Sequence, residues 1–188
     1  MVPWGKVKKV DFFDIQGLIA SDNIEVVDER GRVTRFHENH FVGRAFPLKK
    51  VIVSNTKYQH TIRGFHIQVE PEGENKLIAC LSGQIDEYFL DLRPNSRTFL
   101  KYATISLSSK IQKSIYVPRG IAHAFQTLKN DTSILYHIDT TYNEDLNVAI
   151  NPFDPAIDIP WRHSVSLVSN RDAQGMSLQS FLEKYVTR

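Results

Sequence analysis

Between Lys49 and Thr141 the chain is broken about every ten residues by turn-forming clusters, and the runs between them are short, apolar and rich in β-branched and aromatic side chains. The runs are Lys49–Val53, Thr61–Gln68, Leu77–Leu81, Ile85–Leu92, Phe99–Leu107, Ile115–Val117, Ala122–Leu128 and Ser133–Thr141. The breakers include Ser54-Asn-Thr-Lys57, Glu70-Pro-Glu-Gly-Glu-Asn75, Ser82-Gly83, Arg93-Pro-Asn-Ser96 and Pro118-Arg-Gly120. Connections this short join antiparallel strands and leave no room for crossover helices, so the pattern predicts an all-β sandwich or barrel. Upstream, Asp22-Asn23 and Asp28–Arg32 read as turns and Val33–Glu38 as a further strand. Residues 142–175 read as loop, since Pro152, Pro155 and Pro160 forbid long ladders. Helical periodicity appears only at Met176–Tyr185, where Leu178, Phe181, Leu182 and Tyr185 recur at three and four residues behind a candidate cap, Ser177.

A chain of 188 residues suffices for one domain with a sizeable core, and residues 1–188 read as one. A net charge of +2, with no basic block beyond Lys6–Lys9 and Lys49-Lys50, argues against a nucleic-acid partner. No apolar run approaches membrane-span length, and the N-terminus lacks a basic-then-apolar signal, so neither membrane nor export is expected and the cytoplasm is the expected location. Cys80, the single cysteine, sits in an apolar run as an inert packed thiol. Residues 1–20 carry Val10, Phe12, Phe13, Ile15, Leu18 and Ile19, more apolar side chains than a free tail should expose.

Polar groups inside the apolar runs are the candidates for chemistry. His66, Lys76, His123 and Tyr136 all lie in strand-like segments, where burial is costly unless the group is paired or used. Alternation puts His66 and Gly64 on one face of Thr61–Gln68, with Arg63 and Phe65 on the other. A lone buried histidine is most often a hydrogen-bonded core residue; several titratable groups together, with Asp172 beyond them, point to a site.

The segments Ile62-Arg-Gly-Phe-His66-Ile-Gln68, Lys76–Gly83, Leu90–Arg93 with Ser96–Phe99, Ile115–Phe125, Leu135-Tyr136 with Tyr142, Asp154-Pro155 with Ile159–Trp161, and Ser169–Asp172 together resemble the dTDP-4-dehydrorhamnose 3,5-epimerase family, in order and near-family spacing. The resemblance implies a cupin-type jelly roll with a short C-terminal helix. It implies metal-free epimerisation at C3, C5 or both of a nucleotide-linked 4-keto-6-deoxy sugar, in surface-polysaccharide or deoxysugar biosynthesis. It assigns the base to His66, the opposing acid to Tyr136, the lysine beside the keto oxygen to Lys76, and the carboxylate behind the base to Asp172. It further implies substrate contacts from Arg63, Arg30, Gln68, His123, Tyr142 and Glu87, with Arg63 and Arg30 on the diphosphate. No cofactor is implied. A homodimer is, with residues 1–20 exchanged as an arm.

The assigned set makes chemical sense. A hydrogen α to a ketone leaves only if charge developing on the oxygen is stabilised, and an ammonium does that. An imidazole backed by a carboxylate accepts the proton, and a tyrosine stays protonated to return one from the other face. A metal-binding cupin usually offers two histidines one residue apart, but Ile67 and Gln68 follow His66, so a metal is not expected. The alternatives are a nucleotide-sugar 3,4-ketoisomerase, which tends to use paired histidines, and a non-catalytic sugar-nucleotide binder, which would have lost the acid or the base. The chain departs from the family in three places. The Arg30-Gly31 loop is lengthened, Val51 and Val53 stand where counting back from Arg63 expects a glutamine and an asparagine, and Asp86-Glu87 replaces Phe-Asp.

Overall fold

A computed structural model of the chain describes residues 8–9, 11–36, 46–111 and 113–186. Four short strands come first: β1 (Lys8–Lys9), β2 (Ile19–Asp22), β3 (Ile24–Asp28) and β4 (Gly31–Arg35). Eight longer ones follow: β5 (Lys50–Thr56), β6 (Thr61–Gln68), β7 (Lys76–Ser82), β8 (Gln84–Asp91), β9 (Lys101–Ser108), β10 (Lys113–Val117), β11 (Ile121–Thr127) and β12 (Thr132–Ile138). The chain ends with β13 (Asn147–Ala149), β14 (Leu167–Val168), α1 (Asn170–Ala173) and α2 (Leu178–Tyr185).

The eight central strands form a jelly roll. One sheet runs β9-β8-β11-β6, extended by β1 and β13 at its ends and by β14 alongside β6; the other runs β10-β7-β12-β5, extended by β2. Each central strand lies within one to three residues of its place in the sequence reading, with the largest differences at the ends of β5, which runs on to Thr56, and of β12, which stops at Ile138. Residues 142–175 are less irregular than expected, since β13, β14 and α1 lie there; the prolines keep these elements short. The strand expected at Val33–Glu38 is β4, and its positions 37 and 38 lie outside the described residues.

The sheets face each other across a core in which Ile78, Cys80, Ile134 and Ile138 of the smaller sheet meet Ile85, Phe89, Leu107 and Phe125 of the larger. The outer face of the larger sheet is also covered: Phe65, Ile67, Tyr88 and Leu90 pack under Ile157, Ile159 and the apolar side of α2, Phe181 and Leu182. Cover on both faces explains why β8 and β11 are buried along almost their whole length and show no clean apolar–polar alternation. Ser177 caps α2, its side chain accepting from the Ser180 N–H.

Two sequence features acquire a structural meaning here. Phe12, Ile15 and Leu18 are buried in the inter-sheet core of their own chain, so these apolar residues do not by themselves call for a partner; Val10 and the Phe13 side chain lie outside the described residues. The Leu90–Arg93 and Ser96–Phe99 segments form a knot around buried Asp91, whose carboxylate accepts from Arg93 Nε at 2.8 Å, Ser96 Oγ at 2.6 Å and Thr98 Oγ1 at 2.6 Å. Burial alone would raise that carboxyl's pKa, but these donors hold it below its ordinary value.

Candidate active site

Between the two sheets lies a cavity of about 200 Å³, lined by His66 and Arg63 of β6, Lys76 of β7, His123 and Phe125 of β11, Tyr136 and Ile138 of β12, and Lys50, Ile52 and Ser54 of β5, with Glu74, Tyr142 and Asn147 at its edge. His66 and His123 come from the larger sheet, and Lys76 and Tyr136 from the smaller.

Strict alternation would have put Arg63 and His66 on opposite faces, yet both line the cavity while Phe65 is buried on the outer side. The cause is an irregularity in β6. His66 pairs with His123 and Arg63 with Phe125, so a step of three residues along β6 matches a step of two along β11. Gly64 takes φ 112° there, a region open to glycine. Its amide donates to Asp172 Oδ2 at 3.0 Å, while Asp172 Oδ1 meets His66 Nε2 at 2.8 Å. Asp172 is held in α1, its own N–H bound by the cap Ser169. Burial would push the Asp172 carboxyl up, but the hydrogen bond and charge of His66 and the Gly64 amide pull it below its ordinary value. An ionised Asp172 accepts, so His66 carries its proton on Nε2 and keeps Nδ1 as its basic nitrogen.

Lys76 is buried, and its ammonium meets Glu74 Oε1 at 3.0 Å; Lys50 approaches the other oxygen of Glu74 at 3.5 Å. Tyr136 is also buried, with its ring 5.7 Å from that of His123. Burial first, and then the nearby Glu87, raise its phenol well above the ordinary value against an opposing pull from Arg63, so it remains a donor. The His123 ring lies 6.4 Å from that of His66. Behind it Glu87, wholly buried, meets His123 Nδ1 at 2.7 Å. Burial pushes the Glu87 carboxyl well up although Lys76 opposes it, and burial with the charges of Lys76 and His66 pushes the His123 imidazole well down.

The other expected contacts are distributed differently. Arg63 lines the cavity with its guanidinium held by Thr56 Oγ1 at 3.0 Å and the Asn55 carbonyl at 3.3 Å. Tyr142 stands exposed at the edge, with Lys50 Nζ 5.2 Å from its ring centre. Gln68 does not line the cavity. Its amide donates to the Glu72 and Thr141 carbonyls and accepts from the Asn143 N–H, tying two loops together. Arg30 stands at the exposed tip of the β3–β4 hairpin, paired with Asp28 at 2.6 Å. On β5, Val51 and Val53 point outward, and Lys50, Ile52 and Ser54 face the cavity instead. Sequence reasoning missed Glu74 and Lys50. Glu74 lies two residues before Lys76 and so shares its parity, but it sits in a breaker-rich connection that looks solvated. Among the described residues no three or more His, Cys, Asp or Glu side chains converge as a metal set.

A family model described as dTDP-4-dehydrorhamnose 3,5-epimerase matches residues 13–180. A dTDP-4-dehydrorhamnose 3,5-epimerase of Sinorhizobium fredii is 35% identical over 119 residues, covering 63% of this chain and 61% of its own length. A dTDP-4-dehydro-6-deoxyglucose 3-epimerase of a Streptomyces species is 26% identical over 87% of this chain and 86% of its own. The crystal structure of the Bacillus anthracis dTDP-4-dehydrorhamnose 3,5-epimerase, with TDP and pyrophosphate bound, superposes with a TM-score of 0.83 at 28% identity, covering 88% of this chain and 96% of that one.

Proposed function

We propose that this chain, which belongs to the dTDP-4-dehydrorhamnose 3,5-epimerase family, inverts C3, C5 or both of a dTDP-linked 4-keto-6-deoxy sugar by removing and returning a proton, in deoxysugar or surface-polysaccharide biosynthesis. The observation that carries this reading is that His66 and Tyr136 line one cavity from opposing sheets, with buried Lys76 in the same wall. In this reading His66 Nδ1 takes the proton α to the ketone while Asp172 stabilises the imidazolium that forms. The electron pair moves to the C4 oxygen, where the Lys76 ammonium offsets its charge. Tyr136 then delivers a proton to the opposite face and inverts the carbon; the phenolate recovers a proton from solvent and the imidazolium of His66 releases one to it, which restores both groups. Arg63, at the cavity edge, suits the diphosphate.

The reading includes a homodimer in which the β3–β4 hairpin brings Arg30 to the partner's cavity. Its support is that the hairpin exposes valines on both faces and packs on no sheet of its own chain among the described residues.

Incubation with dTDP-4-dehydro-6-deoxyglucose in deuterated water, followed by NMR, tests the activity. Deuterium at inverted C3 and C5 is expected, and deuterium confined to C3 would identify the single-centre reaction that the Streptomyces relative's name describes. A carbonyl moved to C3 would identify a ketoisomerase, and no incorporation from any dTDP-linked 4-keto sugar would remove the proposal.

A further inference from the structure

Glu87 stands behind the cavity wall, paired with the lining residue His123, and the reaction just described uses neither. Both side chains are buried, Glu87 completely. One carboxyl oxygen, Oε1, lies 2.7 Å from His123 Nδ1, while Oε2 is buried without any hydrogen-bond partner among the described residues. His123 lines the cavity, and no side chain or carbonyl among the described residues binds its Nε2. The titratable neighbours are Lys76, His66, Tyr136 and Cys80.

Two arrangements fit a 2.7 Å contact between a carboxyl oxygen and a ring nitrogen. In the first, an ionised Glu87 accepts from Nδ1–H. The carboxylate would then bury an anionic oxygen at Oε2 with no hydrogen-bond donor among the described residues, which costs far more than burying a neutral carbonyl. If the ring were then charged, it would add a second cation beside Lys76; if neutral, its Nε2 would offer the cavity a lone pair and no proton. In the second, Glu87 is a neutral acid. A carboxylic O–H needs an acceptor, and among the described residues the hydrogen bond Glu87 makes is the one to Nδ1, so the proton sits on Oε1 and Oε2 is an ordinary carbonyl oxygen. The ring's own proton is then confined to Nε2.

We propose that Glu87 is a protonated positioning residue that donates to His123 Nδ1 and so fixes His123 as a neutral Nε2–H donor into the cavity. Resting on the epimerase reading, this gives the C4 oxygen two different partners, the Lys76 ammonium and an uncharged imidazole N–H. The second donor strengthens binding of the enolate without placing another positive charge beside the base His66, whose affinity for a proton a nearby cation would lower.

The state of the pair can be read on the wild-type protein without turnover. Nitrogen-15 NMR of histidine-labelled enzyme at pH 7 should show His123 protonated on Nε2 and bare on Nδ1, and infrared difference spectra between wild type and Glu87→Gln should show loss of a protonated carboxyl band. A ring protonated on Nδ1, or the absence of that band, overturns the proposal even if the enzyme epimerises its substrate. Conversely, the spectra stand as a test if no epimerase activity is found, so the two readings fail separately. Glu87→Gln keeps a donor toward Nδ1 and should retain the Nε2–H tautomer in the same nitrogen-15 spectra. Glu87→Met, which keeps the bulk and loses the donor, should lower kcat ~10²-fold, the effect of losing an aimed hydrogen-bond donor. A drop of ~10⁴ in Glu87→Gln, the size expected when an amide replaces an ionised acceptor and reverses the tautomer, would also overturn it.

Discussion

His66 and Tyr136 differ in what their removal should leave behind. With His66→Ala no group takes the α proton, so deuterium wash-in and inversion should both fall by ~10²–10⁴-fold or more. With Tyr136→Phe the base, Asp172 and Lys76 remain, so the enolate should still form and be reprotonated by His66 on the face it left; exchange with retention should outlast inversion. NMR of the recovered sugar in deuterated water distinguishes the two, and unchanged epimerisation by Tyr136→Phe would refute its role. Asp172 links the site to acid stability. Its folded pKa lies below the unfolded value, so its contribution is complete above the unfolded carboxylate range of ~3.9 and is lost as pH falls through the lower folded value. Asp172→Asn should therefore lose stability at neutral pH and show a flatter loss between pH 5 and 2 in acid unfolding followed by circular dichroism. Cys80 bears on neither. Burial pushes its thiol up to about 12, so alkylation at pH 8 should be slow in the folded protein and rapid in urea. The cavity's polar residues were legible because His66, Lys76, His123 and Tyr136 interrupt apolar runs. Glu74 was not, since nothing local distinguishes a buried glutamate from its solvated neighbours Glu70 and Glu72; what buries it is the approach of Lys50 from β5 and Lys76 from β7.

At the level of strands, the site depends on one bulge. Period-2 alternation reads β6 correctly for His66 and Phe65 and incorrectly for Arg63, because the sequence signals a glycine but not the three-against-two pairing with β11. A Cβ at Gly64 would lie 2.5 Å from the His123 carbonyl oxygen and 2.7 Å from Ala124 Cα, both backbone atoms that cannot swing aside. Gly64→Ala should cost at least about 2 kcal/mol from the strained φ and the clash, measured as a fall in urea midpoint. Whatever folded protein remains should turn over slowly, since relief of the clash moves His123 and releases the amide that holds Asp172. The covering layer shows the same limit. Helix α2 announced itself by its 3- and 4-residue periodicity and its cap, whereas β13 and β14 did not, because two- and three-residue strands are specified by the β6 edge they pair with rather than by their own composition.

Among the described residues, the β3–β4 hairpin and the outer face of β5 expose an apolar surface that a single copy of the chain does not account for. β3 and β4 form a two-stranded sheet of their own, with Ile24, Val26, Val27 and Val33 at 43%, 56%, 67% and 66% exposure, so the apolar residues point to both sides. An isolated hairpin of this kind is marginal in water. The outward face of β5, at the end of the smaller sheet, exposes Val51 and Val53 in the same way. The apolar surplus thus belongs to the hairpin and β5 rather than to Phe12, Ile15 and Leu18, and a second copy covering both would bring Arg30 to a cavity that its own chain does not offer it. Val26→Lys with Val33→Lys, directly opposed across the hairpin, should give a folded monomer by light scattering; an intact dimer would remove this surface from the interface. Complementation tests the site itself. If Arg30 acts across the interface, a heterodimer of an Arg30→Ala subunit with a His66→Ala subunit contains one site with both native residues, because the first keeps His66 and receives Arg30 from the second. Random reassortment in equal amounts should then restore roughly a quarter of wild-type activity, since half of the dimers are mixed and each has one competent site of two. If Arg30 serves its own chain or no site at all, every site in the mixture keeps the defect of its own subunit, and activity stays at the average of the two separate variants.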